Sequence, residues 1–174
     1  LHAVEAHCTQ EAMPRCRAAC PLQMDVRAFM EHLAAGRTRD ARKLLERHLP
    51  LPAILIAVCD HPCENACLRR DLGGALAVGA LERHVLATTP PQTRLIPRPP
   101  RQQRLAVLGA GLAGLVVAWE LSRKGFPVDV LHEGDARDAL RRSYPDIPET
   151  ALDAEWIDFG KTPVTFLPSQ YDAT

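Results

Sequence analysis

Apolar positions recur at helical spacing through the first 89 residues and change to short continuous runs after residue 104. Behind Asp25, the residues Val26, Phe29, Met30 and Leu33 lie three or four apart, and Gly36 follows. This predicts a helix capped by the Asp25 side chain and closed near Gly36. Thr38 is placed to cap a second helix, with Ala41, Leu44 and Leu45 inward and Pro50 stopping it. Leu51–Val58 is a short apolar run that delivers the chain to Cys59, and a third helix is predicted over Ala75–Ala87. Met24 and Met30 read as core filler. Beyond Arg104 the pattern predicts a strand over Leu105–Leu108, a helix over Leu115–Lys124 ended by Gly125, and a strand over Val128–His132. Glu149–Phe159 reads as a further helix and Val164–Leu167 as a third strand.

The turn between the first strand and its helix is Gly109-Ala-Gly111-Leu-Ala-Gly114. In a dinucleotide-binding fingerprint, the first glycine permits the tight turn and the second lets the backbone approach a pyrophosphate. The third allows close helix–strand packing. The positive end of the helix dipole faces the phosphates. Glu133 follows 19 residues after Gly114, at the end of the next strand, where an acid accepts hydrogen bonds from a ribose. The competing reading is a βαβ unit with the same turn that binds nothing. The fold class expected is α+α/β: an N-terminal all-helical domain over residues 1–89, then a truncated Rossmann-like βαβ domain over residues 104–174. Residues 88–103 hold five of the 15 prolines and three arginines. They predict a stiff, extended linker, placed at residues 90–103.

Charge narrows the function classes. Lys+Arg and Asp+Glu number 21 each, so the net charge is zero. Nothing in that balance predicts nucleic acid or an anionic membrane as partner. The longest uncharged stretch, Leu105–Trp119, has 15 residues and three glycines, too short to span a bilayer. No basic segment precedes an apolar one, which predicts no secretory leader and a cytoplasmic location.

The six cysteines stand at 8, 16, 20, 59, 63 and 67, with none in the last 107 residues. They form two groups, Cys8-x7-Cys16-x3-Cys20-Pro21 and Cys59-Asp-His-Pro-Cys63-Glu-Asn-Ala-Cys67. Such bunching points to metal more than to a disulfide framework. Four-residue spacing would place thiols on one helix face, but Pro62 interrupts a helix there, so the second group is pictured as a loop entering a turn. A structural zinc site needs only four ligands. Six thiols with a Cys-Pro step favour iron–sulfur ligation, in which distant segments share clusters. Zinc remains the alternative, with His7 and His61 as candidate ligands or as solvated neighbours of the thiolates.

Taken together, Glu5-Ala-His-Cys8, Cys16-Arg-Ala-Ala-Cys20-Pro-Leu, Asp25-Val, Phe29, Leu49-Pro-Leu-Pro, Val58-Cys59-Asp-His-Pro-Cys63-Glu-Asn-Ala-Cys67 and Gly79-Ala-Leu-Glu82-Arg resemble one family. It is the iron–sulfur domain shared by the small subunit of bacterial glutamate synthase, dihydropyrimidine dehydrogenase and related NAD(P)H-dependent flavoproteins. An FAD-binding domain opening with Gly-x-Gly-x-x-Gly follows it there, and Val107-Leu-Gly-Ala-Gly-Leu-Ala-Gly fits. The resemblance implies two [4Fe–4S] clusters with interleaved ligands. One set would be Cys8, position 11, Cys16 and Cys67; the other would be Cys20, Cys59, Cys63 and the Glu82 side chain. FAD would be held through Gly109, Gly111, Gly114 and Glu133.

Three departures stand out. Glu11 replaces a cysteine, which implies a harder carboxylate ligand, a three-iron cluster or no first cluster. His7 replaces the usual arginine before Cys8. Asp138-Ala-Leu140-Arg-Arg replaces a Gly-Gly-x-Leu segment that approaches the flavin, and side chains there would obstruct the approach. No second Gly-x-Gly-x-x-Gly occurs in the 41 residues after Glu133, and there is no catalytic triad, HExxH or P-loop lysine. The implied role is an electron-transfer component of a larger NAD(P)H-linked oxidoreductase, with other subunits as partners and no activity alone. The alternative is a structural or assembly module holding zinc or a structural cluster.

Overall fold

The computed structural model describes residues 8, 13–92, 98–159 and 162–168, with residues 157–159 and 168 described by backbone alone. The chain forms two compact units, residues 1–93 and 94–174.

Within the first unit, the described residues form α1 (Arg15–Ala19), α2 (Val26–Ala34), α3 (Thr38–His48), α4 (Pro52–Val58) and α5 (Pro62–Asn65). A 3₁₀ turn (Leu68–Leu72) and α6 (Val78–Thr88) follow. The Asp25 carboxylate caps α2 as its sequence predicts, accepting from the Ala28 N–H at 3.2 Å. Thr38 does not cap α3: Arg37 occupies that place without a side-chain bond, and Thr38 is the first helical residue. The run before Cys59 is a helix, because Leu51 turns into the left-handed region at φ 54° and Pro52 supplies a preset first turn. Phe29, Ala41 and Leu45 are fully buried between α2 and α3, and Met24, Val78 and Val85 join the same core.

Arg42 and Glu46 form a buried ion pair at 2.6 Å on α3. Arg42 also donates to the Leu86 carbonyl at 3.2 Å, and Glu46 accepts from the Gln92 N–H. One pair of charges thus ties α3 to α6 and to the segment after it. Removing either partner would leave the other charge buried and uncompensated.

The second unit comprises β1 (Leu105–Leu108), α7 (Leu112–Arg123), β2 (Val128–His132), α8 (Ala136–Ser143), α9 (Glu149–Phe159) and β3 (Val164–Pro168). Its strands run parallel in the order β1-β2-β3. This is the α+α/β class that the sequence predicts. Val128 and Val130 face the interior, and α7 packs on the sheet with Leu115 and Ala118 fully buried. On the alternate face, Leu108, Leu131 and Leu167 pair in register, and Leu108 is 81 % exposed.

The proline-rich stretch reaches this unit as well. The Arg101 N–H donates to the Gly125 carbonyl at 2.8 Å, and its guanidinium lies 4.6 Å from the Phe126 ring centre. Among the described residues, no helix is long and apolar enough to cross a membrane.

Candidate functional site

Short helices deliver the cysteines to one another. α1 carries Cys16 and packs against α5, which carries Cys63. Pro62 begins α5 instead of breaking a helix: His61 takes the left-handed conformation at φ 50°, and proline fills the first helical position, where no N–H is needed. The loop entering a turn that the sequence predicts is thus a loop through His61 entering the helical turn of α5, and Pro62 starts that turn instead of interrupting it. The His61 N–H donates to the Cys59 sulfur at 3.3 Å, which folds the left-handed residue back over the first thiol of the group.

Electrostatics separates the thiols into two neighbourhoods. Burial pushes the Cys16 thiol upward, and the nearby Cys67 and Cys8 add to the push. Burial likewise raises Cys63 to about 12, with Glu82, Cys59 and Cys20 contributing repulsion. Cys59 is raised by burial and then by Glu82 and Cys20, against a lowering bond from the His61 N–H. Glu82 is raised to about 7, first by burial and then by Glu64, with Arg83 opposing. The mutual repulsion links Cys16 with Cys8 and Cys67, and Cys63 with Glu82, Cys59 and Cys20. Glu11 lies outside the described residues, as does His7.

Cys8, Cys16, Cys63 and Cys67 line one cavity of about 220 Å³, whose wall also carries Arg15, Arg27 and Arg69. Among the described residues, no three His, Cys, Asp or Glu side chains converge closely enough to share one ion. What the chain supplies is a largely apolar cavity with four cysteines and three arginine side chains in its wall. Half-buried donors that repel one another as anions are relieved by a positively charged metal core, and soft thiolates suit iron–sulfur clusters. The donor set fits that group.

Sequence reasoning missed two features here. Glu64 accepts from the Gly79 N–H at 2.8 Å and so caps α6, which otherwise lacks a side-chain cap. No local motif signals a cap that comes from another segment. His61 is not a solvated neighbour: its side chain is buried and stands 3.4 Å from Glu82.

In the second unit, Gly109 has φ +95° and begins the turn, while the N-terminus of the twelve-residue α7 follows Gly111. Space above Gly109 and Gly111 is open, whereas a Cβ on Gly114 would collide with the Gly109 carbonyl oxygen. These are the three roles the fingerprint requires. Glu133 directly follows β2, at the carboxyl edge where ribose would lie. The segment that replaces Gly-Gly-x-Leu is α8, capped by Asp135 and anchored by the fully buried Leu140. The adenine half of a dinucleotide fits this edge. A packed helix thus stands where the resemblance leads one to expect glycines.

Sulfur gathered on short helices, in one chain with a glycine-turn βαβ unit, defines an iron–sulfur protein with an attached dinucleotide-binding fold. Residues 2–93, more than half of the chain, match the family described as dihydropyrimidine dehydrogenase domain II, 4Fe-4S cluster, and the chain belongs to that family. Residues 107–137 match the NAD(P)-binding Rossmann-like domain.

Among similar proteins is the glutamate synthase [NADPH] small chain of Mycobacterium tuberculosis, 30 % identical over 154 residues, which are 87 % of this chain and 31 % of that protein. The same-named chain of Azospirillum brasilense is 30 % identical over 139 residues, covering 76 % and 29 %. The NADPH-Fe(3+) oxidoreductase subunit beta of Geobacter sulfurreducens is 29 % identical over 121 residues, covering 66 % and 18 %. The chain spans less than a third of the length of these relatives.

Proposed function

We propose that the chain is the electron-transfer part of a larger NAD(P)H-linked oxidoreductase, with two iron–sulfur clusters in residues 1–89 and an FAD-type dinucleotide edge in residues 104–174. The reading is supported by thiols from distant segments that repel one another in two sets. Cys8, Cys16 and Cys67 form one and Cys20, Cys59 and Cys63 with Glu82 the other, each proposed to hold one cluster. Iron–sulfur clusters supply single-electron exchange when bound. The protein's part is to shield the sulfur partly from water, with Arg15, Arg27 and Arg69 in the wall of the adjoining cavity, and to fix the ligands near helices that share one core. Relatives named as subunits and small chains of NADPH enzymes support a place among further domains or subunits.

Hydride transfer needs a flavin ring stacked on a nicotinamide, each oriented by its own contacts. The single fingerprint and Glu133 supply one adenine-side half of one dinucleotide. The 174-residue chain, prepared without oxygen and given FAD, is expected to take up and return electrons with dithionite and a one-electron dye. It is expected to show no NAD(P)H:dye reductase turnover. Saturable turnover by these residues alone would overturn the assignment of the nicotinamide site to a partner. Failure to exchange electrons with the dye would overturn the redox role itself.

A further inference from the structure

The loop that carries Cys59 and Cys63 is fastened to α6 at two points. Glu64 accepts from the Gly79 N–H at 2.8 Å, locking the first turn of α6 to the loop. One turn further along the same helix face, Glu82 meets His61: Nε2 of the imidazole stands 3.4 Å from Oε2. That nitrogen is closed off from solvent and makes no hydrogen bond among the described residues, so the approach to Glu82 is its one polar contact among them. Gly79 makes this possible, because a Cβ there would collide with the His61 ring. His61 itself holds a left-handed backbone at φ 50°, a strained conformation for a non-glycine residue. Pro62 and the bond from the His61 N–H to Cys59 hold it in place.

We propose that His61 is a positioning residue, whose imidazole holds one oxygen of Glu82 so that the carboxylate faces the thiols of Cys20, Cys59 and Cys63 as the oxygen ligand of that set. A carboxylate has two oxygens; engaging one with a buried ring nitrogen fixes its orientation and leaves the other for metal. Partners behind a ligand orient it in this way throughout metal-site chemistry. The inference rests on the reading of Cys20, Cys59, Cys63 and Glu82 as one iron-binding set.

The test uses the full chain reconstituted with ferrous iron and sulfide without oxygen. Iron retained against a chelator and the magnetic resonance spectrum after reduction are followed in parallel. His61→Leu, which keeps bulk and loses the ring nitrogen, is expected to weaken retention roughly 10- to 100-fold for one cluster and to alter only its signal. His61→Asn, which keeps a donor, should recover part of the loss, and Gly79→Ala, which displaces the ring, should reproduce it. Should His61→Leu fail to fold, the latter two variants decide. Wild-type retention and spectrum in His61→Leu, or in both other variants, would overturn the positioning role. Glu82→Ala separates the two layers. If it changes the spectrum while the His61 variants do not, only the positioning role falls. If it too is silent, the oxygen-ligand reading falls with it.

Discussion

Cys63→Ser is expected to remove about half of the bound iron, that of one cluster of two, and to diminish the visible absorbance in proportion. Cys63 is 7 % exposed and sits in the helical core, repelled as an anion by Glu82, Cys59 and Cys20. Serine nearly matches its volume, so the core stays filled, but a hydroxyl is a far poorer ligand for iron than a thiolate. Cys20→Ser and Cys59→Ser should deplete the same cluster, and Cys16→Ser the other, as the proposed ligand sets require. Helix content by circular dichroism should remain near wild type in the reconstituted proteins. A Cys63→Ser chain with full iron and sulfide would show that this thiol is packing alone.

The second large effect belongs to Gly114→Ala. Its methyl group would run into the Gly109 carbonyl oxygen, a backbone atom that cannot swing aside. The turn or α7 must therefore shift, at a cost of about 1–3 kcal/mol. Gly111→Ala is the control. Gly111 has an ordinary φ of −68° and open space around it, so the change should leave stability within about 0.5 kcal/mol. It should nevertheless weaken nucleotide binding, because the methyl would occupy the space a pyrophosphate needs. Trp119 and Trp156, the only tryptophans in the sequence, both lie in the second unit. Their fluorescence during denaturation therefore reports that unit by itself. Equal stability of Gly114→Ala and wild type would contradict the close turn.

Much of this could be read before any coordinates. The strands at Leu105–Leu108 and Val128–His132 fall where the apolar runs place them, as expected of parallel strands, although β1 has no fully buried residue. α7 begins at Leu112, earlier than its pattern suggests, because Gly114 in its first turn conceals the helical period. α8 escaped notice for another reason: between Ala136 and Ser143 its main inward anchor is Leu140, among charged residues.

The cysteine motifs announced metal, yet spacing along the chain cannot tell which distant thiols meet. That division came from resemblance; the packing of α1 on α5 brings Cys16 and Cys63, one thiol from each set, into the same region. Glu82 carried its own signal. It stands on the stripe defined by Val78 and Val85, where a carboxylate would be costly to bury without a purpose. Glu64 and Gly79 carried none, because their contact joins segments fifteen residues apart.

The most direct test is one anaerobic preparation of the chain in which iron, acid-labile sulfide and zinc are counted per polypeptide and the reduced protein is examined by magnetic resonance. Two clusters require up to ~8 iron with equal sulfide, and a single four-iron cluster ~4; either should come with little zinc and a signal that appears on reduction. Stoichiometric zinc with neither iron nor sulfide would contradict the account.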